Sequence, residues 1–290
     1  MTNVHPSASI SPDATLDPTC SVGPRCVIEG PVTLGAGVRL VGGVYLQGPL
    51  TVGARTIVYP YACIGFPPQD YKFKPGDATA GVAIGSDCII REHVTVHAAS
   101  NDHTPTRIGD GVFMMAYSHA GHDARVGNRV ILVNYAALAG HTCVDDNATL
   151  SGHVGLHQFV RVGRLAFISG GVAVGMDVPP FCMAPERNRL GGLNLVGMRR
   201  AGISRDEITE VRRAFRDLFR RPVPRDELLA RLTERGSSSP AVAEIAAFVA
   251  GSKRGVCPGM GRPPRVLTTW LQRRRRGELV ELDDDAAEPL

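Results

Sequence analysis

An aliphatic residue recurs at every sixth position over most of the first 174 residues, and few folds can accept that interval. The register runs Val4, Ile10, Leu16, Val22, Ile28, Leu34, Leu40, Leu46, Val52, Val58 and Ile64. It resumes at Ile84, Ile90 and Val96, then continues from Ile108 through Met114, Ala120, Val126, Leu132, Leu138, Val144, Leu150, Leu156, Val162 and Ile168 to Val174. Neither a helical period of 3.6 nor a strand period of 2 produces it. A hexapeptide repeat is the signature of a parallel β-helix, in which each flat face of a coil takes six residues. Three such faces make a coil of eighteen, so residues eighteen apart stack above one another.

The repeat domain is expected over residues 1–182, with Gly, Asp, Asn and Pro at the corners. The register breaks twice: twenty positions separate Ile64 from Ile84, and twelve separate Val96 from Ile108. The extra residues, centred on PPQDYKFKPGD and HAASNDHTPTR, are expected to leave the solenoid as surface loops on a functional face. Beyond Pro179-Pro180 the pattern becomes helical over 183–252. Ser204 with Glu207 three positions on forms a capping box before an apolar stripe of Ile208, Val211, Phe215, Leu218 and Phe219. Pro224 opens a second helix to about Arg235, and Pro240 a third that stops at Gly251. Residues 253–290, with RRRR at 273–276, Trp270 and acidic 283–285, read as an extended or flexible basic and acidic tail.

A net charge of +4 is too small to argue for nucleic acid as a partner. Seven cysteines show no metal-ligand spacing and no framework, so a reducing cytoplasm is expected and no metal. Cys20, Cys26 and Cys88 occupy a small inward slot two residues before a register aliphatic, whereas Cys63 should face outward. The N-terminus MTNVHPSAS gives no secretory signal, and no apolar run is long enough to span a bilayer.

The chemistry concentrates in histidines. His122, His141 and His157 are separated by 19 and 16 residues, which puts them near one edge of the prism on successive rungs. His97 joins them once six loop residues are discounted, and His119 lies three residues before His122. A neutral imidazole is a suitable general base near neutral pH, and Asp123, next in sequence to His122, can fix its tautomer. Gly140, eighteen residues beyond His122, can offer its amide to a developing oxyanion on the next rung. Nothing reads as a nucleophile elbow, a phosphate loop or a metal triad. Direct attack by a deprotonated acceptor is therefore expected.

Specific strings extend this reading: IGFPPQDYKF at 64–73, REHVTVH at 91–97, SHAGHDARVGNRVILVNYAALAGH at 118–141, LHQF at 156–159, DVPPF at 177–181 and GLNLVGMRRAGISRDEI at 192–208. In that order the chain resembles the UDP-N-acetylglucosamine O-acyltransferases of lipid A biosynthesis, within the hexapeptide-repeat acyltransferase superfamily. The resemblance implies a left-handed parallel β-helix followed by a small α-helical C-terminal domain, assembled as a homotrimer with sites between neighbouring prisms. It implies transfer of a 3-hydroxyacyl chain from acyl carrier protein to the sugar 3-hydroxyl of UDP-N-acetylglucosamine. The carrier's 4′-phosphopantetheine thioester would be the donor substrate, with no separate cofactor. By that likeness His122 is the general base, Asp123 its orienting partner and Gly140 the oxyanion donor. Gln69, Asp70 and Lys72 would hold the glucosamine. His119, His141, His157 and Gln158 would line the nucleotide and pantetheine groove, with His97 and Asn194 also binding substrate, and Arg200 would meet a phosphate. Gly170 would act as the acyl ruler beside Phe167, leaving the groove open for a longer chain.

The chain departs from the family pattern at Ala98-Ala99-Ser100, at Pro185 to Asn188, at Val196 and at Ala201. A different acceptor, such as a UDP 3-amino sugar giving an amide, or a coenzyme A donor, is the alternative reading. Arg199, Arg200, Arg212, Arg213, Arg216, Arg220 and Arg221 make a basic surface suited to an acidic carrier protein.

Overall fold

The computed structural model describes residues 3–220 and 223–260. Arg221, Trp270, the arginine run at 273–276 and the acidic run at 283–285 lie outside the described residues. From Asn3 to Leu193 the chain winds through short strands into three sheets of eleven, nine and eight strands, here the first, second and third sheets. Through Ala173–Val174 successive rungs pair in parallel, each strand with the one three later, whereas Cys182–Ala184 pairs with Phe167–Ile168 and, antiparallel, with Gly192–Leu193. Phe113 faces Ile131 in the first sheet, His119 faces Ala137 in the second and Arg125 faces Cys143 in the third, each eighteen residues on. The solenoid is a left-handed parallel β-helix, an exception to the right-handed crossover preference.

Alternation within each strand sends one residue in and the next out. Ile90, Met114, Leu132, Leu150 and Ile168 fill the inside of the first sheet and are fully buried. Cys20, Cys26 and Cys88 sit in the small inward slot as expected, and Cys63 is half-buried on the outer side. Among the described residues only the first coil departs, its strands pairing on one side alone. Val4 is 37% exposed, and Ile10 and Leu16 are partly so.

The corners supply the tight turning. Tyr117, Asp123, Arg129, Tyr135, His141, Asn147, His153, Phe159 and Leu165 follow one another at intervals of six, all left-handed with φ between 52° and 66°. Such a backbone costs a side-chain-bearing residue roughly 1–2 kcal/mol. Stacking offsets part of that along one edge. Tyr61, His93, Tyr117, Tyr135 and His153 form a ladder with successive ring centroids 5.0, 4.6, 4.9 and 4.7 Å apart. Offset aromatic pairs of this kind contribute about 0.5–1.5 kcal/mol each.

Both register breaks leave at the same edge. The first runs from the strand Cys63–Phe66 to Val82–Ile84, and the second from Thr95–His97 to Thr106–Ile108. Each passes from the second sheet to the third. That edge also carries Asp123, His141 and Phe159.

Four helices follow: α1 (Leu195–Arg200), α2 (Arg205–Ala214) prolonged by a π-helical turn at Phe215–Phe219, α3 (Arg225–Gly236) and α4 (Pro240–Ala250). The Ser204 hydroxyl caps α2 at the Glu207 amide, as expected. The reciprocal half of the box differs, because the Glu207 carboxylate instead accepts from the Ser239 hydroxyl and the Ala241 amide at the start of α4. The tail expectation is corrected for its first residues. Val256 bridges to Asp177 and Gly259 to Leu190, and Cys257 is fully buried. Asp177, itself buried, also accepts from the Ser252 hydroxyl. The chain forms one compact unit through Gly259, so the helices do not separate as a body of their own at 183.

Leu132 lies at 0% exposure in mid-stack, with coils above and below. Leu132→Ala is expected to destabilise by about 2–5 kcal/mol, read as a lower midpoint in urea unfolding.

Candidate active site

The edge between the second and third sheets gathers the reactive side chains. His122 and Asp123 form its turn, and the next coil presents Gly140 and His141 at the same places, with the His141 amide donating to the His122 carbonyl at 3.0 Å. Gln158 and Phe159 repeat the pattern one coil further, the Phe159 amide donating to the Gly140 carbonyl at 3.2 Å. His122, Gly140 and Gln158 therefore share one column, and Asp123, His141 and Phe159 the adjacent one. This refines the sequence expectation: His141 stands above Asp123, not above His122.

The Asp123 side chain is only 8% exposed and is surrounded by donors. Its carboxylate accepts from the Ser100 hydroxyl at 2.6 Å, the Asn101 side-chain amide at 2.6 Å, the Ser100 backbone amide at 3.2 Å and His122 Nδ1 at 2.7 Å. Burial pushes this carboxyl up, but the hydrogen bonds from Ser100 and His122, aided by nearby His141, hold it below the usual carboxylate range. An ionised carboxylate can only accept, so Nδ1 of His122 carries the proton and Nε2 presents a lone pair. That is the tautomer a general base needs.

Gly140 sits against the free face of that imidazole. A Cβ there would lie 2.5 Å from His122 Nε2, so any side chain would displace the ring. Its amide donates to no backbone carbonyl among the described residues. An N–H left open within reach of a base is the arrangement that stabilises an oxyanion.

The surrounding histidines are held neutral or braced. His119 shares a 2.7 Å hydrogen bond with the Thr95 hydroxyl, and burial, with His97 and His122 nearby, pushes it down to about 4. His97 is buried edge-on to His119, and burial first and His122 second lower it too. Its Nδ1 has no partner. His141 meets His122 edge-on and stacks on Phe159 at 4.6 Å. His122, Asp123 and His141 have the composition of a metal triad. Their donor atoms lie within 4.8 Å of one another, but both Asp123 oxygens already receive hydrogen bonds, one of them from His122 itself.

Other expected residues lie apart within one chain. Asp70 makes a local turn by accepting from the Lys72 amide, and neither it, Gln69 nor Lys72 bonds to the histidine cluster. His157 is exposed at the same edge, its ring bonded to the Gln158 carbonyl. Asn194 caps α1 and donates to the Leu165 carbonyl, and Arg200 is exposed in the last turn of α1. Phe167 projects from the outer face of the first sheet with Gly170 at the following turn, neither on the sheet that carries His119. Sequence reasoning missed Ser100 and Asn101. Their only signal was the loop in which they stand, since Ala98 and Ala99 pack inward and deliver them to Asp123.

Known proteins resemble this chain over most of its length. A family model described as Udp N-acetylglucosamine O-acyltransferase, Domain 2, matches residues 177–257. The chain is 42% identical over 259 residues to the acyl-[acyl-carrier-protein]–UDP-N-acetylglucosamine O-acyltransferase of Thermodesulfovibrio yellowstonii, covering 89% of this chain and 100% of that one. The Synechocystis protein of the same name is 38% identical over 222 residues, 74% of this chain and 79% of that one. Among solved structures, the Francisella novicida UDP-N-acetylglucosamine acyltransferase superposes with a TM-score of 0.84 at 32% identity, covering 90% of this chain and 95% of that one. The Moraxella catarrhalis UDP-N-acetylglucosamine O-acyltransferase gives 0.83 at 32% identity, with 88% and 99% covered.

The depressed His119 imidazole links stability to pH. Between its ordinary value of 6.5 and about 4 the unfolded chain binds the extra proton and the folded chain does not, so stability falls as pH drops through that window. His119→Asn is expected to flatten the fall in urea midpoint measured from pH 6.5 to 4.

Proposed function

The chain belongs to the UDP-N-acetylglucosamine O-acyltransferase family, and from that premise we propose that it moves a 3-hydroxyacyl chain from acyl carrier protein to the 3-hydroxyl of UDP-N-acetylglucosamine, opening lipid A biosynthesis. The observation that carries the mechanism is the Asp123–His122–Gly140 constellation. His122 Nε2 takes the proton of the 3-hydroxyl while the sugar oxygen attacks the thioester carbonyl carbon. Negative charge gathers on the carbonyl oxygen, where the Gly140 amide donates to it. Asp123 steadies the imidazolium formed meanwhile. Collapse of the tetrahedral intermediate expels the carrier thiolate, which takes the proton back from His122. The ester and the carrier thiol leave.

The rest of the groove has matching roles. His119 and His97, kept neutral by burial, offer hydrogen bonds without adding charge beside an acyl chain. On the outer face of the second sheet, Ala137, Gly155 and Ala173 follow His119 rung by rung. A floor of such small residues suits a fatty chain laid along the prism. Gln69, Asp70 and Lys72 would close on the glucosamine, with His141, His157 and Gln158 along the edge, and Asn194 and Arg200 toward the nucleotide. Arg212, Arg213, Arg216 and Arg220 line a groove of about 450 Å³ with Leu193, Leu195 and Phe215, a surface suited to the carrier protein. The carrier's 4′-phosphopantetheine thioester serves as donor substrate, and no further cofactor enters the scheme.

A homotrimer is part of this proposal. The outer face of the first sheet carries Ile57, Ile89, Phe113, Ile131, Thr149, Phe167 and Met183 in one column, apolar except at Thr149, with Ile89 39% exposed. Such an apolar strip calls for a partner. A second copy's first sheet laid across the second sheet would also bring Phe167 and Gly170 to the acyl groove, which one chain alone does not do. No helix among the described residues is long and apolar enough to cross a membrane, and we place the enzyme in the cytoplasm, where its donor and acceptor would be made.

The test is to incubate the protein with UDP-N-acetylglucosamine and 3-hydroxyacyl carrier proteins of several lengths and to identify the product by mass spectrometry. An ester on the sugar supports the proposal; an amide or no product overturns it. His122→Ala is expected to lower turnover by at least ~100-fold, given what a general base contributes, with an unchanged unfolding midpoint. A Cβ at Gly155 meets nothing within 4 Å, so Gly155→Leu should fold while shortening the accepted acyl chain. The same carrier panel reads that shift.

A further inference from the structure

The outward column of the third sheet changes character at the coils of the site. Its first four rungs carry Thr15, Thr33, Thr51 and Ala83. The next four carry Arg107, Arg125, Cys143 and Arg161. Arg107 and Arg125 are directly paired neighbours, which sets their backbones about 4.8 Å apart. Both are exposed, and neither forms an ion pair among the described residues. Two uncompensated guanidinium groups one rung apart repel each other, and an anion between them relieves that repulsion.

Arg161 is occupied otherwise. Its guanidinium lies over the Phe248 ring at 4.2 Å and donates to the Phe248 carbonyl at 3.3 Å. Arg164 is paired with Glu244. All four arginines, with Cys143, line a groove of about 590 Å³. Arg125 and Cys143 also line the adjoining pocket, together with Asp123, His141 and Phe159. The arginine groove is therefore continuous with the mouth of the histidine site.

We propose that Arg107 and Arg125 form a phosphate-binding subsite at the mouth of the histidine groove. Each guanidinium offers a planar fork that matches two oxygens of one phosphate. An extended acidic protein surface fits less well, because Asp145, Asp146 and Glu244 line the same groove and would repel it. A single tetrahedral group at the arginine end avoids them. This rests on the proposed function, which supplies two phosphate sources: the phosphodiester of the carrier's pantetheine arm and the diphosphate of the nucleotide sugar.

The test uses the double variant Arg107→Gln/Arg125→Gln in the full-length chain. Calorimetry with 4′-phosphopantetheine, and with pantetheine lacking the phosphate, needs no turnover and so stands even if the proposed reaction fails. The phosphorylated compound should bind the wild type at least about tenfold more tightly than the variant, as expected for charge-assisted hydrogen bonds, and pantetheine should not distinguish them. In the coupled assay, a raised KM for acyl carrier protein at unchanged kcat assigns the phosphate to the donor arm. A raised KM for the nucleotide sugar assigns it to the diphosphate. Equal KM values for both substrates, together with equal calorimetric affinities, overturn the subsite.

Discussion

The left-handed residue at most corners is the constraint on which this molecule rests. It turns the backbone sharply enough for six residues to complete a face, so that each strand meets its neighbour in register eighteen residues on. Flat, in-register coils then repeat at the spacing of parallel strands, about 4.8 Å. The pairing of an imidazole with an open amide follows directly. His122 and Gly140 occupy one corner position on successive coils, and the coil spacing alone brings the imidazole against the glycine. The corner tolerates bulky residues because their rings stack, which spreads the local backbone strain along the whole edge.

Electrostatics complete what the coil begins. The Asp123 side chain is only 8% exposed and yet remains an anion, because Ser100, Asn101 and His122 direct their donors to it. The loop that brings Ser100 and Asn101 is one of the two insertions that leave the solenoid at this edge. The repeating frame thus places the His122 imidazole, and the irregular segment braces the carboxylate that orients it. Nearby His97 and His119 are pressed toward the neutral state, which spares the groove additional positive charge.

Much of this was legible from the residues. The six-residue register named the inward aliphatics, the small inward cysteines and the two expelled loops, because burial on a closed prism is a strict filter. The relation of His122 to Gly140 followed from the same count of eighteen. What the count missed came from positions it does not govern. Ser100 and Asn101 reach Asp123 across a loop whose path has no period. His141 stands one place aside from His122, since an interval of 19 is not 18. Glu207 caps a helix more than thirty residues away, a tertiary contact that a local capping pattern does not contain. The segment after Lys253 read as a tail because its Pro and Gly content hides the buried Cys257 and the bridges at Val256 and Gly259.

The three outer surfaces of the prism have separate chemistries over one shared interior. One carries bulky aliphatic and aromatic groups, one small residues above a histidine, and one arginines that begin halfway up. Inward and outward residues alternate, so a substitution on any wall leaves the packing behind it untouched. Partner, substrate and steering can thus drift independently in such a lineage, each along its own vertical stripe, while a common spine stays intact.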